Sequence, residues 1–132
     1  MAWIAPPRPA EASRVAIPGE ALADAVEQAL ADASACRSAV GRAVGVRLAG
    51  DEKWLPGDLA ICQASGATSY VRRSVKATAY ACPLMADVSR AERMVYVLHE
   101  ELHLAGVTDH HGHDGKDSEQ HLNARIIAAC FR

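Results

Sequence analysis

The segment that most constrains the fold is residues 87–106, DVSRAERMVYVLHEELHLAG. Ser89 and Glu92 have the spacing of a helix-capping box, and Gly106 is a typical helix stop. Between these signals an apolar stripe recurs at helical spacing, formed by Met94, Leu98, Leu102 and Ala105. Val97 and Leu104 lie on the opposite side. The pattern therefore predicts a helix packed between other parts of the domain.

Within this predicted helix, His99 and His103 flank Glu100 in the pattern H-E-x-x-H. Residues four apart on a helix point in nearly the same direction, so both imidazoles can reach one point. Two imidazole nitrogens at about 2.0–2.1 Å make half of a tetrahedral zinc site. Glu100 points about 100° away from His99 around the helix axis, where it can accept a proton from a zinc-bound water. The motif favours a zinc site over the alternative, two surface histidines paired with nearby acids.

The residues after Gly106 extend the pattern to H-E-x-x-H-x-x-G-x-x-D, with Asp109 in the last position. This pattern resembles that of the metzincin-like zinc proteases, in which a Gly turns the chain and the next ligand follows three residues later. Most of that group have His at this place, whereas the small secreted bacterial proteases of the snapalysin type have Asp. The resemblance implies a zinc metalloendopeptidase with a zincin-like fold. It also implies that His99, His103 and Asp109 are the ligands and Glu100 the general base.

The resemblance covers about twenty residues and has one departure. Metzincins place a Met-containing turn after the third ligand, and this chain has no Met after Met94. A minimal zincin therefore fits better than a true metzincin, and other third ligands stay open. These are Glu119 and His121 on the last predicted helix, and His110, His111 and His113 in the preceding polar loop.

Composition narrows the function classes. The net charge is −2, and the only basic cluster, VRRSVK at 71–76, is short and predicted to be a solvated strand or turn. A nucleic-acid partner is not expected, and no apolar run reaches the roughly 18 residues of a membrane span. A peptide or protein substrate is expected instead. The alternatives are a nuclease-like zinc hydrolase, disfavoured because Glu100 stands where H-G-x-x-H enzymes have Gly, or a catalytically silent zinc-binding domain.

Four cysteines, none in a C-x-x-C pattern, predict two disulfides and an oxidising compartment. We expect Cys62 to pair with Cys82, because both lie in predicted apolar strands that could be neighbours. Cys36 and Cys130, at a helix end and at the chain end, form the other expected pair. The alternative is four buried free thiols. The start of the chain has no basic region followed by an apolar one, so no signal peptide is expected within it. A secreted or periplasmic location follows from the cysteines alone.

The remaining patterns predict one α+β domain over 19–132 after an irregular lead at 1–18. Its sheet is expected to be small and mostly antiparallel, with an N-terminal helix, an active-site helix and a C-terminal helix. Trp54 and Tyr70 are expected to pack in the core rather than line a cleft. Helices are predicted at about 20–35, with a further turn to Val40, and at 117–131; strands at 44–50, 59–63 and within 70–84; and a turn at DEKWLPGD.

Overall fold

The computed structural model of the chain describes residues 14–108 and 115–131, with the side chains of 115–120 excepted. The described residues form an α+β domain, as predicted. Its helices are α1 (Glu20–Ser34), α2 (Arg37–Val44), α3 (Leu59–Ser65), α4 (Arg90–Leu104) and α5 (Gly115–Cys130), with a short 3-10 helix at Pro83–Ala86. Its strands are β1 (Lys53–Pro56), β2 (Ser69–Val71) and β3 (Thr78–Ala81).

The three strands form a mixed sheet in the order β1-β3-β2. β1 runs parallel to β3, and β2 pairs antiparallel with β3. The predicted sheet, mostly antiparallel, is therefore corrected to one parallel and one antiparallel pair. The parallel pair arises because α3 and β2 lie between β1 and β3 along the chain, and such a connection can return the strand in the same direction. β2 is left at the edge of the sheet.

Two predicted strands are wrong. The segment 59–63 is helical, because the Asp58 side chain accepts hydrogen bonds from the backbone N–H groups of Ala60 and Ile61 and caps α3. The segment 44–50 has no strand; α2 continues to Val44, and the chain leaves it at Gly45 with φ +85°. The predicted turn at DEKWLPGD contains β1, whose pairing with β3 is a long-range contact.

The helix predicted within residues 87–106 is confirmed as α4. The Ser89 hydroxyl accepts from the Glu92 N–H and donates to its carboxylate at 3.0 Å, and Gly106 has φ +99°. α4 packs against α1, α5 and β2, which explains why it is apolar on two sides. The buried residues of α4 include Met94, Leu98 and Leu102 of the predicted stripe and Val97 of the opposite side.

Both predicted disulfides are present. Cys36–Cys130 joins the start of α2 to the end of α5, and Cys62–Cys82 joins α3 to the residue after β3. The second pair was predicted from two neighbouring strands, but Cys62 lies on a helix. In the chain-entropy account, a cross-link that closes a loop of about 100 residues contributes about 4–5 kcal/mol. Two disulfides indicate an oxidising compartment.

The chain before α1 is attached to the sheet. Val15 forms a parallel bridge with Trp54, whose carbonyl accepts from the Ala16 N–H at 2.9 Å, and Ile17 is buried in the core. The first thirteen residues of the predicted lead lie outside the described part of the chain. Within residues 14–108 and 115–131, no helix has the length and apolar character needed to cross a membrane.

Candidate metal centre

His99, Glu100 and His103 meet at the C-terminal end of α4 and form a group that could hold a metal ion. We call these three residues the metal group. One ligand atom from each lies within 4.8 Å of the others. His99 and Glu100 are each only 4% exposed, and His103 is half-buried. The i, i+4 spacing therefore places the two imidazoles together, as the sequence predicted.

The second nitrogen of each imidazole is held by an oxygen acceptor. His103 Nδ1 lies 2.8 Å from the carbonyl oxygen of Val107, and His99 Nδ1 lies 2.8 Å from Asn123 Oδ1. An oxygen acceptor requires a proton on the facing nitrogen, so in each neutral ring the hydrogen is on Nδ1. Both Nε2 atoms then carry lone pairs, which is the tautomer that binds a metal.

The two Nε2 atoms lie 2.9 Å apart. At this separation both nitrogens can reach one cation. The donor set of two imidazoles with an adjacent carboxylate suits zinc and similar borderline divalent metals. The arrangement of these residues therefore fits the metal that the motif implies.

Glu100 is oriented by a residue that the sequence did not identify. The Ser69 hydroxyl, on β2, donates to Glu100 Oε2 at 2.5 Å, and both residues are buried. This contact joins the edge strand of the sheet to the metal group. It fixes the plane of the carboxylate beside the two imidazoles.

The next residue on the helix, Glu101, belongs to a buried ionic cluster that we define as Arg14, Arg37, Glu52, Trp54 and Glu101. Arg37 donates to both Glu101 oxygens, at 2.6 and 2.8 Å. The Glu52 carboxyl shares a hydrogen bond with Glu101, accepts from Trp54 Nε1 at 3.0 Å and lies 3.2 Å from Arg14 Nη2. The cluster ties α4 to α2 and to the segment that enters β1.

Burial and the nearby Glu101 carboxylate raise the pKa of Glu52 from its ordinary 4.5 to about 8. A raised pKa means that the folded chain holds this proton more tightly than the unfolded chain. The stability that it contributes is complete below pH 4.5 and is lost as the pH rises through about 8.

We therefore expect the free energy of unfolding to fall between pH 5 and pH 8, measured by urea unfolding. Glu52→Gln resembles the protonated side chain and is expected to flatten this dependence. Glu27→Gln, the same change at an exposed position of α1, serves as the control. An equal pH slope in wild type and Glu52→Gln would contradict the assignment.

The candidate third ligands are placed as follows. Asp109, His110, His111 and His113 lie outside the described residues, and so does the side chain of Glu119. His121 is exposed on α5 and does not join the metal group. Among the described side chains of α5, Asn123 contacts the group through His99, and the sequence analysis missed it. Its signal was a polar side chain next to buried Leu122, on the edge of the apolar stripe.

Asn123→Ala is expected to lower zinc affinity by about 10- to 100-fold, because the His99 ring loses the acceptor that fixes its tautomer. The change would be measured by competition with a chromophoric chelator. Asn123→Asp keeps an oxygen acceptor and should retain most of the affinity, and His121→Ala should retain all of it. Unaltered affinity in Asn123→Ala would remove Asn123 from the site.

The metal group opens into a cleft of about 890 Å³. All of β2 lines this cleft, and so do Leu104 and Val107. Trp54 is fully buried, as expected, but Tyr70 lines the cleft. Its ring stacks on Tyr80 with centroids 4.9 Å apart, and its hydroxyl accepts from a backbone N–H at 2.8 Å.

No protein-family model, curated protein or solved structure matches the chain. The chemistry of the site is therefore inferred from its own residues.

Proposed function

We propose that the chain is a zinc-dependent peptidase, with His99 and His103 as metal ligands and Glu100 as general base. One observation carries the proposal: the two Nε2 atoms are held 2.9 Å apart by partners on their Nδ1 atoms, beside an oriented carboxylate in an open cleft. The resemblance of the motif to that of snapalysin-type zincins agrees with this reading. The two disulfides support a secreted or periplasmic location.

Asp109 is our proposed third ligand. Two features of the preceding residues support the choice: Gly106 has φ +99°, and the Val107 carbonyl oxygen lies 2.8 Å from His103 Nδ1. The chain has therefore turned back towards His103 two residues before Asp109. A carboxylate with two neutral imidazoles leaves a zinc site with net charge +1, which preserves Lewis acidity.

The residues divide the chemistry of amide hydrolysis between them. Zinc, when bound, supplies a Lewis acid that polarises a carbonyl and lowers the pKa of water. Glu100 takes the proton from the attacking water and later delivers it to the leaving amine nitrogen. Ser69, by donating to Oε2, holds the carboxylate in one orientation through both transfers. Asn123 and the Val107 carbonyl keep the imidazoles in the metal-binding tautomer.

The edge strand favours a peptide as substrate. Within the described residues β2 pairs only with β3, and every residue of β2 lines the cleft. An extended peptide can add to such an edge through main-chain hydrogen bonds. Because Ser69 of β2 contacts Glu100, a peptide on this strand would pass the general base.

Cleavage of casein and of quenched-fluorescence peptides tests the proposal. The zinc-loaded protein should cleave them, a zinc chelator should abolish the activity, and added zinc should restore it. A non-chelating isomer of the same compound is the control. The proposal fails if the zinc-loaded protein cleaves no peptide, or if the chelator leaves cleavage intact.

A further inference from the structure

We infer that the turn between β2 and β3 makes this cleft selective for substrates with acidic side chains a few residues from the cleaved bond. The inference rests on the proposed peptidase function and adds a substrate class to it. The turn spans residues 72–77, and we call it the basic turn.

Three cations of the basic turn line the cleft: Arg72, Arg73 and Lys76, all exposed. The Val75 N–H donates to the Arg72 carbonyl at 3.1 Å, and Ala77 has φ +50°, so the turn has a defined shape. The sequence alone predicted a solvated strand or turn here. In the structure this segment forms part of the lining of the cleft into which the metal group opens.

The charge of the described cleft lining is opposite in sign to that of the whole chain. The chain has net charge −2, whereas the described cleft lining has three cations of the basic turn and one carboxylate, Glu100. In the part of the chain that the structure describes, Arg72, Arg73 and Lys76 form no ion pair, unlike Arg37 and Arg90. Three unneutralised cations beside a substrate groove attract anionic groups.

The basic turn directly follows β2, and its distance from Glu100 determines which substrate residues it can contact. Ser69, the first residue of β2, contacts Glu100, and Arg72 follows three residues later. At about 3.3 Å per residue, Arg72 lies about 10 Å along the chain direction from Ser69, which contacts the general base. A peptide paired with β2 and cleaved at Glu100 would therefore present its side chains about three residues from the cleaved bond to the basic turn.

The partner is a peptide rather than another polyanion because the cations continue an open strand edge. A strand edge offers main-chain donors and acceptors that an extended peptide matches. In the described lining of the cleft, Tyr70 is the one residue among Phe, Trp and Tyr, and its ring already stacks on Tyr80. A surface built for single-stranded nucleic acid would present several aromatic rings for base stacking.

The test compares matched quenched peptides with Glu, Gln or Lys at the third residue on either side of one cleavable bond. The readout is kcat/KM for wild type, for a variant with Arg72→Gln, Arg73→Gln and Lys76→Gln, and for Arg42→Gln as control. Arg42 is an exposed cation on α2 outside this cleft.

Wild type should prefer Glu over Gln on one side of the bond by about five- to tenfold, with Lys least favoured, and added salt should weaken the preference. The triple variant should lose the preference, and Arg42→Gln should keep it.

Cleavage of all three peptides at equal rates overturns the selectivity and leaves the peptidase proposal standing. Cleavage of none overturns the peptidase proposal and this inference with it. An RNA oligonucleotide that inhibits cleavage more strongly than a non-cleavable acidic peptide of equal charge also overturns the inference.

Discussion

Glu100→Gln is expected to lower kcat for peptide hydrolysis by about 10²–10⁴-fold while zinc stays bound. Glutamine has nearly the same shape, and its amide oxygen can still accept the hydrogen bond from Ser69. It cannot take a proton from water. The loss should therefore fall on turnover and leave the two imidazoles undisturbed. Steady-state kinetics and zinc analysis of the same preparation would measure both effects.

The matched control is Glu27→Gln, the same change at an exposed position of α1, which should behave as wild type. Two results would contradict the role of Glu100. Near-normal turnover in Glu100→Gln would mean that another group accepts the proton. Loss of zinc from that variant would mean that Glu100 is a ligand.

The second large effect concerns the buried ionic cluster. Arg37→Ala should reduce the free energy of unfolding by about 3–5 kcal/mol, because it leaves the Glu101 carboxylate buried without its partner. The Glu101 side chain is only 2% exposed, and Glu52 beside it cannot compensate a negative charge. Urea unfolding of both proteins at one pH would measure the difference.

The chain supplies a matched comparison in Arg90, which binds Asp32 through the same two-bond geometry at 2.8 and 2.9 Å. This pair lies at the surface, so water replaces the lost contact, and Arg90→Ala should change stability little. A similar loss in both variants would show that burial does not set the strength of the Arg37–Glu101 pair. An unchanged stability in Arg37→Ala would contradict the account of the cluster.

The parts of the site that are local in sequence could be predicted. The capping box, the apolar stripes and H-E-x-x-H all lie within one helix, where spacing along the chain fixes spacing in the fold. The α+β class and both disulfide pairs were also predicted. The Cys62–Cys82 pair was predicted correctly but on a wrong premise, since Cys62 lies on helix α3 and not on a strand.

The misses share a physical cause. A short apolar run such as 59–63 fits a strand or a helix, and here the Asp58 cap selects the helix. β1 is polar at its start and becomes a strand only by pairing with β3. The partners of the motif come from distant parts of the chain: Ser69 from β2 and Asn123 from α5. No local pattern marks such contacts, because they depend on how the elements pack.

Zinc content of the purified protein tests the central claim most directly. Wild type, His103→Ala and His121→Ala would be stripped of metal, incubated with equal zinc, desalted and analysed for bound metal. The account predicts one zinc per chain in wild type and in His121→Ala, and almost none in His103→Ala. Equal zinc content in wild type and His103→Ala would contradict it.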